Sequence, residues 1–458
     1  MHPSPPPAAA VRFGPVFALA AAGVAMSNLD LFIVNVALPV VGEHFADAPL
    51  SRLSWILNAY AVVFAALLVP AGGLADRTGA RRAYLWGVAV FTLASALAAL
   101  APGVWTLIAA RVLQAAGAAL LTPASLGLLL TAAPPDRRAG AVRGWTAVGG
   151  EAASLGPVAG GLLTALDWRW VFLVNLPVGL FVLLAGPRIL PASPPAGGPR
   201  PDLTGAGILT AAIALLALGL VKAEEWGWTS APTLGALAAA AVLAGWFAAR
   251  SARHPAPIIP PALLRTPAFG PATLANLLFA AAFAAMLLAV VLWAQTGWGW
   301  SALRTGWAIA PGPLMVPGLA LGAAPLVRRF GPGAVAALGC AVFAAGNLWW
   351  FAALTPDPAY LTAFLPGMLL TGVGVGLTLP TLVGAAVSIL PAGSFATGSA
   401  VVTMARQVGS VLGVAALVAV LGAAPGAGDF DNGWLFVTAA TAATGAAVLT
   451  LLVRPGRG

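Results

Sequence analysis

Four ionisable residues lie inside long apolar stretches of the sequence, where charge is costly: Asp30, Arg111, Glu151 and Arg406. Each costs about 2.5–3.5 kcal/mol on insertion scales when placed at the centre of a membrane-spanning helix. A carboxyl group that is removed from water favours its protonated form, so Asp30 or Glu151 could bind and release a proton. The set therefore indicates proton or substrate coupling. The alternative is that these charges form ion pairs that only hold helices together.

The depths of these residues can be estimated from the helical rise. Asp30 lies nine residues before Pro39, or about 13 Å below the predicted outer end of its span, and Arg111 lies about 9 Å from the same side. Gln114 shares a helix face with Arg111 because it follows three residues later. We therefore expect Asp30 and Arg111 to lie at similar depth.

Glu151 and Arg406 form a second pair of buried charges. Glu151 lies eight residues after Arg143, or about 12 Å from the predicted cytoplasmic end of its span. Arg406 lies at a comparable depth within a later span. Whether these two side chains touch is left open by the sequence.

The composition excludes most classes of soluble protein. Of the 458 residues, 60% are hydrophobic and only 8% are charged, whereas soluble domains are about 25% charged. A soluble enzyme, a disordered chain and a disulfide scaffold are all excluded. With a single cysteine (Cys340) and three scattered histidines (His2, His44 and His254), we expect no disulfide, no metal site and no cofactor.

Fourteen apolar runs separated by Pro, Gly or charged residues predict an all-α integral membrane protein with fourteen transmembrane helices. If both termini are cytoplasmic, most of the 22 basic residues lie on the cytoplasmic side, as the positive-inside rule requires. This distribution predicts a multi-pass protein of the inner (plasma) membrane. It also explains the net charge of +9 without a nucleic-acid partner. The partners we expect are the lipid bilayer, protons and a small lipophilic substrate.

An internal repeat relates the two ends of the chain. Four residues recur at a constant offset: Gly117, Pro123, Gly127 and Pro134 reappear as Gly374, Pro380, Gly384 and Pro391. Parallel repeats of this kind occur in transporters. We predict a six-helix bundle at 1–190, a parallel six-helix bundle at 267–458, and cytoplasmic linkers with two inserted transmembrane helices at 191–266.

Two glycine-containing motifs have spacings that suit moving helices. The first lies in the predicted loop between spans 2 and 3 and contains Gly72, Asp76, Arg77, Gly79 and Arg81. Its glycines permit a tight turn, and its charges can pair differently in two conformations. A simple positive-inside anchor would need the arginines but neither the glycines nor the aspartate.

The second motif lies in span 5 and contains Gly149, Gly156, Pro157, Gly160 and Gly161. Small residues let membrane helices approach closely and slide, and a proline can bend a helix. Ordinary tight packing between membrane helices would explain an isolated glycine pair equally well.

Together, the segments 29–39, 72–82, 111–117 and 149–161 resemble the major facilitator superfamily, and specifically its fourteen-span drug:proton antiporter branch. Phe32 stands where that branch often has Thr, Ala80 replaces a basic residue of the loop motif, and Ala115 stands where Gly is common. The resemblance implies that Asp30 and Arg111 take part in proton or substrate coupling, and that the loop motif gates a conformational switch. Glu151 has no counterpart in the family pattern.

The resemblance implies a proton-coupled secondary active transporter that exports lipophilic drugs or antibiotics, cationic ones among them, by alternating access. The candidate coupling residues are Asp30, Glu151, Arg111, Gln114, Asn35 and Arg406. One alternative is a proton-coupled transporter of another small organic metabolite, either an importer or a dedicated single-substrate exporter. Remote alternatives are a membrane receptor and an embedded enzyme.

Neither an enzyme nor an ATP-driven pump is expected. The only lysine, Lys222, lacks the Gly-Lys-Ser/Thr context of a phosphate-binding loop. The oligomeric state is left open, and a monomer is compatible with the mechanism.

Overall fold

The computed structural model describes residues 13–134, 138–192, 202–259, 261–266, 269–387, 395–422, 426 and 428–453. Within these ranges the chain is helical or forms turns and connecting segments, and it contains no strand. The predicted all-α class is therefore confirmed for the described part of the chain.

The helices fall into three consecutive groups. The first group comprises α1 (Phe13–His44), α2 (Leu50–Leu53), α3 (Trp55–Thr78), α4 (Ala80–Ala99), α5 (Val104–Ala132), α6 (Arg138–Leu166), α7 (Trp170–Leu173) and α8 (Asn175–Ile189). The second comprises α9 (Leu203–Trp226), α10 (Ala231–Ser251) and α11 (Pro261–Leu264). The third comprises α12 (Phe269–Leu292), α13 (Ala302–Ile309), α14 (Pro311–Ala353), α15 (Leu365–Val387), α16 (Phe395–Leu421) and α17 (Asp429–Val453), with π-helical turns at Trp293–Gly297 and Tyr360–Phe364.

Twelve helical segments in the described ranges are long and apolar enough to cross a membrane. The predicted count of fourteen is therefore not confirmed. The two remaining predicted spans, 139–166 and 306–327, lie on α6 and on α13 with the first part of α14, so both are helical. Both segments are expected to be helical because the membrane interior offers no water to bond with, so a spanning segment must satisfy its backbone hydrogen bonds internally.

Two glycines in left-handed conformations separate consecutive helices at matching places in the first and third groups. Gly79 (φ 89°) lies between α3 and α4, as the loop motif predicts, and Gly331 (φ 80°) divides α14 into two helical parts. Residues with a Cβ rarely adopt this conformation. The two turns are 252 residues apart, which is close to the offset of the sequence repeat.

The close packing of neighbouring helices is also repeated. A Cβ on Gly117 of α5 would lie 2.6 Å from the Phe91 amide nitrogen of α4, and one on Gly374 of α15 would lie 2.7 Å from the Phe343 amide nitrogen of α14. Gly117 and Gly374 are a repeat pair from the sequence. Each lets two helix backbones come into direct contact.

The second group packs as a hairpin against the first and third groups. α9 and α10 pack along each other, and α9 also contacts α3 and α16. Elsewhere the first and third groups meet directly, through α3 with α16 and through α6 with α13.

A buried carboxylate joins the two helices of this hairpin. Asp202 caps the N-terminus of α9 by accepting a hydrogen bond from the Gly205 amide at 2.8 Å. Arg250 at the end of α10 donates to it from Nη2 at 2.7 Å and from Nε at 3.0 Å, while the His254 ring lies 4.0 Å away. Burial alone would raise the pKa of Asp202, but the hydrogen bonds from Arg250 and Gly205 and the nearby charges of His254 and Arg250 outweigh it. The pKa of this carboxyl is therefore lowered.

We predict that Asp202→Asn destabilises the protein by about 2 kcal/mol at pH 7, because the charge of Arg250 loses its partner. A carboxyl with a lowered pKa stabilises the fold above its unfolded pKa of about 3.9, and this contribution is lost as the pH falls through the lower folded value. The difference between wild type and variant should therefore shrink below about pH 4. Tryptophan-fluorescence melting across pH measures it. Asp357→Asn, at an exposed position, is the matched control, and an equal effect of the two variants at pH 7 would contradict the prediction.

Candidate functional site

A cluster of polar side chains lies in the interior of the first helical group. Asp30 comes from α1, Arg111 and Gln114 lie one turn apart on α5, and Asn175 begins α8. Ser95 of α4 completes the cluster. Each of the four helices α1, α4, α5 and α8 thus contributes at least one polar side chain to the same cluster.

The Asp30 carboxylate is surrounded by hydrogen-bond donors. Arg111 Nη1 donates to Oδ2 at 2.5 Å, while Gln114 Nε2 and Asn175 Nδ2 donate to Oδ1 at 2.8 and 3.0 Å. All three partners are donors, so the arrangement is complementary to a carboxylate rather than to a carboxylic acid. The two residues that the depth estimate places at similar heights are thus in direct contact.

The Arg111 guanidinium is held by several groups at once. Its Nε donates to the Ile56 carbonyl at 3.1 Å, and Nη1 also donates to Gln114 Oε1 at 2.5 Å. Its central carbon lies 4.2 Å from the centroid of the Tyr60 ring, within range of a cation–π interaction. Its Nη2 is buried and has no hydrogen-bond partner in the described part of the chain.

The ion pair is sealed from water in this conformation. Asp30, Arg111 and Gln114 each have 0% of their surface exposed. Removing one partner of a buried pair leaves an uncompensated charge, which costs about 3–5 kcal/mol. A proton or substrate therefore reaches Asp30 only if the surrounding helices move.

Three residues of this cluster are absent from the sequence-based set: Tyr60, Ser95 and Asn175. The only feature of the sequence that could indicate a role for Asn175 and Ser95 is that each is a polar residue inside an apolar run. Uncharged polar residues are common in such runs, where they bond to carbonyls of their own helix, so the signal is weak.

Other candidate residues lie apart from this cluster. Asn35 donates to the Leu31 carbonyl of its own helix at 3.0 Å. Arg406 is half-buried on α16, and its guanidinium has no hydrogen-bond or ion-pair partner among the residues described. Glu151 lies on α6, but its side chain is outside those that the structure describes, so the question of its contact with Arg406 stays open.

The span-5 glycines bring α6 into contact with two helices. A Cβ on Gly156 would lie 2.4 Å from the Phe32 Cβ of α1, and one on Gly160 would lie 2.9 Å from the Ile33 carbonyl oxygen. On the side facing α13, a Cβ on Gly161 would lie 2.7 Å from the Ala302 carbonyl oxygen.

Gly306 of α13 makes this second contact reciprocal, because its Cβ would lie 2.4 Å from the Pro157 carbonyl oxygen. Gly149 belongs to the same helix, but its surroundings lie outside those that the structure describes. The stretch 156–161 therefore joins α1 to α13, and so connects the first and third helical groups.

The loop motif lies at the end of α3. Gly79 supplies the turn, and Gly72 lies on α3 facing Pro123 of α5, where an added Cβ would lie 3.7 Å from the Pro123 Cβ. Arg81 Nη1 donates to the Leu190 carbonyl oxygen at 3.4 Å. Arg77 borders a groove between α3 and α4. The side chain of Asp76 lies outside the described ones, so its pairing with the arginines stays a prediction.

Comparison with known proteins gives a consistent family. The sequence model described as Major Facilitator Superfamily matches residues 20–414. The methylenomycin A resistance protein of Streptomyces coelicolor is 33% identical over 443 residues, which cover 95% of this chain and 92% of that protein. The cephamycin export protein CmcT of Amycolatopsis lactamdurans is 38% identical over 402 residues, which cover 86% of this chain and 82% of that protein.

A solved structure supports the same fold. The crystal structure of an auto-inhibited peptide transporter of the POT family is 17% identical and has a TM-score of 0.67, over 97% of this chain and 98% of that chain. At this identity the likeness concerns the fold alone.

We predict that Arg111→Met destabilises the protein by about 3–5 kcal/mol, because the Asp30 carboxylate is left buried without its cation. The double variant Asp30→Asn/Arg111→Met should be more stable than Arg111→Met alone, since it removes both charges. Thermal unfolding of the purified variants, together with Asp30→Asn, measures the coupling. Strictly additive effects of the two substitutions would mean that the ion pair has no energetic role.

Proposed function

Because this chain belongs to the Major Facilitator Superfamily, we propose that it exports antibiotics or similar lipophilic small molecules, cationic ones among them, driven by proton entry. It is a multi-pass membrane transporter of small molecules and not an enzyme. The names of the relatives support antibiotics as the substrate class, since they describe methylenomycin A resistance and cephamycin export.

The sealed pair of Asp30 and Arg111 is the observation that carries the proton-coupling proposal. Two charges with 0% exposure are retained in a nonaqueous interior, although an apolar pair would pack there at lower cost. Protonation of Asp30 removes its charge and leaves Arg111 with the Ile56 carbonyl and Gln114 as partners. Such a change favours rearrangement of α1 against α5. Substrate then binds when Asp30 is ionised, and protonation of Asp30 competes with substrate binding.

We assign Glu151, Gln114, Asn35 and Arg406 supporting roles in the same coupling. Gln114 is supported by its hydrogen bonds to both Asp30 and Arg111. The roles of Glu151 and Arg406 are supported by the presence of an ionisable side chain within a predicted span. Asn35 lies on α1, as Asp30 does, and is supported by the resemblance alone.

The proposed architecture has fourteen spans, with α6 as the fifth and the segment 302–330 as the tenth. Residues 1–190 and 267–458 form parallel six-helix bundles, and 191–266 supplies the two inserted helices and the linkers. The matched Gly79 and Gly331 turns and the matched Gly117 and Gly374 contacts support this division. Both termini lie in the cytoplasm of a chain in the inner membrane, and a monomer suffices.

Alternating access follows from this arrangement. The contact of Gly161 with α13 lies near the predicted outer end of α6, and this supports a conformation in which the outer side is closed. Opening the outer side requires α6 and α13 to separate, and the glycine surfaces let them close again without side-chain repacking. The loop motif of Gly72, Asp76, Arg77, Gly79 and Arg81 is the conformational switch at the opposite end.

The coupling proposal predicts that Asp30→Asn reduces proton-driven efflux at least tenfold, because an amide cannot exchange a proton. Glu151→Gln should reduce it as well. The measurement is a susceptibility and efflux panel of antibiotics in an efflux-deficient bacterium, with inside-out vesicles to establish the direction of transport.

Asp357→Asn, at an exposed site far from the cluster in sequence, is the matched control and should transport as wild type. Full proton-dependent efflux in both the Asp30 and Glu151 variants would refute the coupling assignment. Accumulation in intact cells rather than in inside-out vesicles would identify an importer.

A separate prediction concerns closure of the outer side. Gly161→Val should lower efflux at least tenfold while the protein still folds, because its side chain would overlap the Ala302 carbonyl oxygen. The matched control is Gly207→Ala on α9, where nothing lies within 4 Å of the added Cβ. Size-exclusion elution and membrane level report folding. Wild-type efflux by a folded Gly161→Val variant would show that this contact does not need to form during transport.

A further inference from the structure

A groove runs along the outer surface of the first helical group, between α3 and α4. It has a volume of about 550 Å³. Its lining includes Leu74, Arg77, Arg82, Trp86, Val90 and Leu120. The first two residues come from α3, the next three from α4, and Leu120 comes from α5. The groove therefore has two walls and a floor contributed by three helices.

The groove exists because α3 and α4 both pack on α5 and make few contacts with each other. Gly87 allows α4 to lie directly on α5, since a Cβ there would come within 2.6 Å of the Leu121 amide nitrogen. The polypeptide thus leaves an elongated space above Leu120 that no described side chain fills.

Two arginines lie at one end of this space. Arg77 is half-buried near the end of α3, and Arg82 is exposed in the first turn of α4. Neither guanidinium has a carboxylate or carbonyl partner among the described residues, whereas the intervening Arg81 is engaged with the Leu190 carbonyl. The end of the groove therefore carries two guanidinium groups that no described carboxylate neutralises.

The remainder of the groove is apolar and open. Trp86 is 68% exposed and Leu74 is 43% exposed. Val90 follows Arg82 by eight residues, so the apolar part extends about 12 Å along α4 from the charged end. Tryptophan at this depth is typical of the boundary between headgroups and acyl chains. The charge and the apolar length together match an amphiphile with an anionic head.

We propose that this groove binds an anionic phospholipid of the cytoplasmic leaflet. The phosphate is held by Arg77 and Arg82, and one acyl chain lies along Trp86 and Val90 over Leu120. Basic pockets between membrane helices on the cytoplasmic side bind such headgroups. The site is distinct from the buried Asp30 cluster, and a lipid bound there contacts both helices that flank the Gly79 turn.

Lipid binding to the purified, delipidated full-length chain tests the proposal without any transport measurement. Native mass spectrometry would follow the titration of phosphatidylglycerol and, separately, of phosphatidylcholine. We expect wild type to prefer phosphatidylglycerol. Arg77→Gln/Arg82→Gln should bind it about 30-fold more weakly, which corresponds to about 1 kcal/mol for each arginine. The matched control is Arg253→Gln, at an exposed arginine outside the groove, and it should bind as wild type.

A second variant tests the acyl-chain contact with the charge unchanged. Leu120→Trp should fill the floor of the groove and weaken phosphatidylglycerol binding, while inorganic phosphate at millimolar concentration should not displace the lipid. Equal affinity for the two lipids, or unchanged binding by the double arginine variant, would overturn the proposal. Displacement by inorganic phosphate would also overturn it, since it would identify a simple anion site. Monodisperse elution of each variant reports folding.

Discussion

The ion pair between Asp30 and Arg111 constrains the helices around it. Two opposite charges placed in a nonaqueous interior are costly unless they pair with each other and gain further hydrogen bonds. The Asp30 oxygens accept three hydrogen bonds, and these come from α5 and α8. The guanidinium in turn reaches the Ile56 carbonyl of α3. The positions of α1, α3, α5 and α8 are therefore tied to one charged pair, and in the proposed coupling a change in its protonation would act on all four.

The helix surfaces around this pair are suited to movement. Gly156 and Gly160 let α6 lie against α1, and Gly161 and Gly306 let α6 and α13 meet backbone to backbone. Contacts of this kind contain few interlocking side chains, so they can separate and re-form at low cost. In the proposed mechanism, the charge that changes and the surfaces that separate share α1, so this helix would connect protonation to the movement.

Features set by single residues could be predicted from the sequence, whereas features set by helix rotation could not. The depths of Asp30 and Arg111 follow from residue counts, and the Gly79 turn follows from the motif. The part played by Asn175 depends on which face of α8 points inward, and an uncharged amide in an apolar run gives little indication of that. The number of spans is a similar case, because α6 is helical at the predicted place but is not counted among the twelve apolar segments. Contact between Glu151 and Arg406 depends on tilt and rotation, which packing against neighbouring helices sets.

The central claim is that Asp30 exchanges a proton when substrate binds. The most direct measurement is proton release from the purified protein in weakly buffered solution, followed with a pH indicator as a transported compound is added. The account predicts release from wild type at a pH where the carboxyl is partly protonated, and none from Asp30→Asn at the same substrate occupancy. Equal release from both proteins, or substrate binding to wild type with no proton released at any pH, would contradict it.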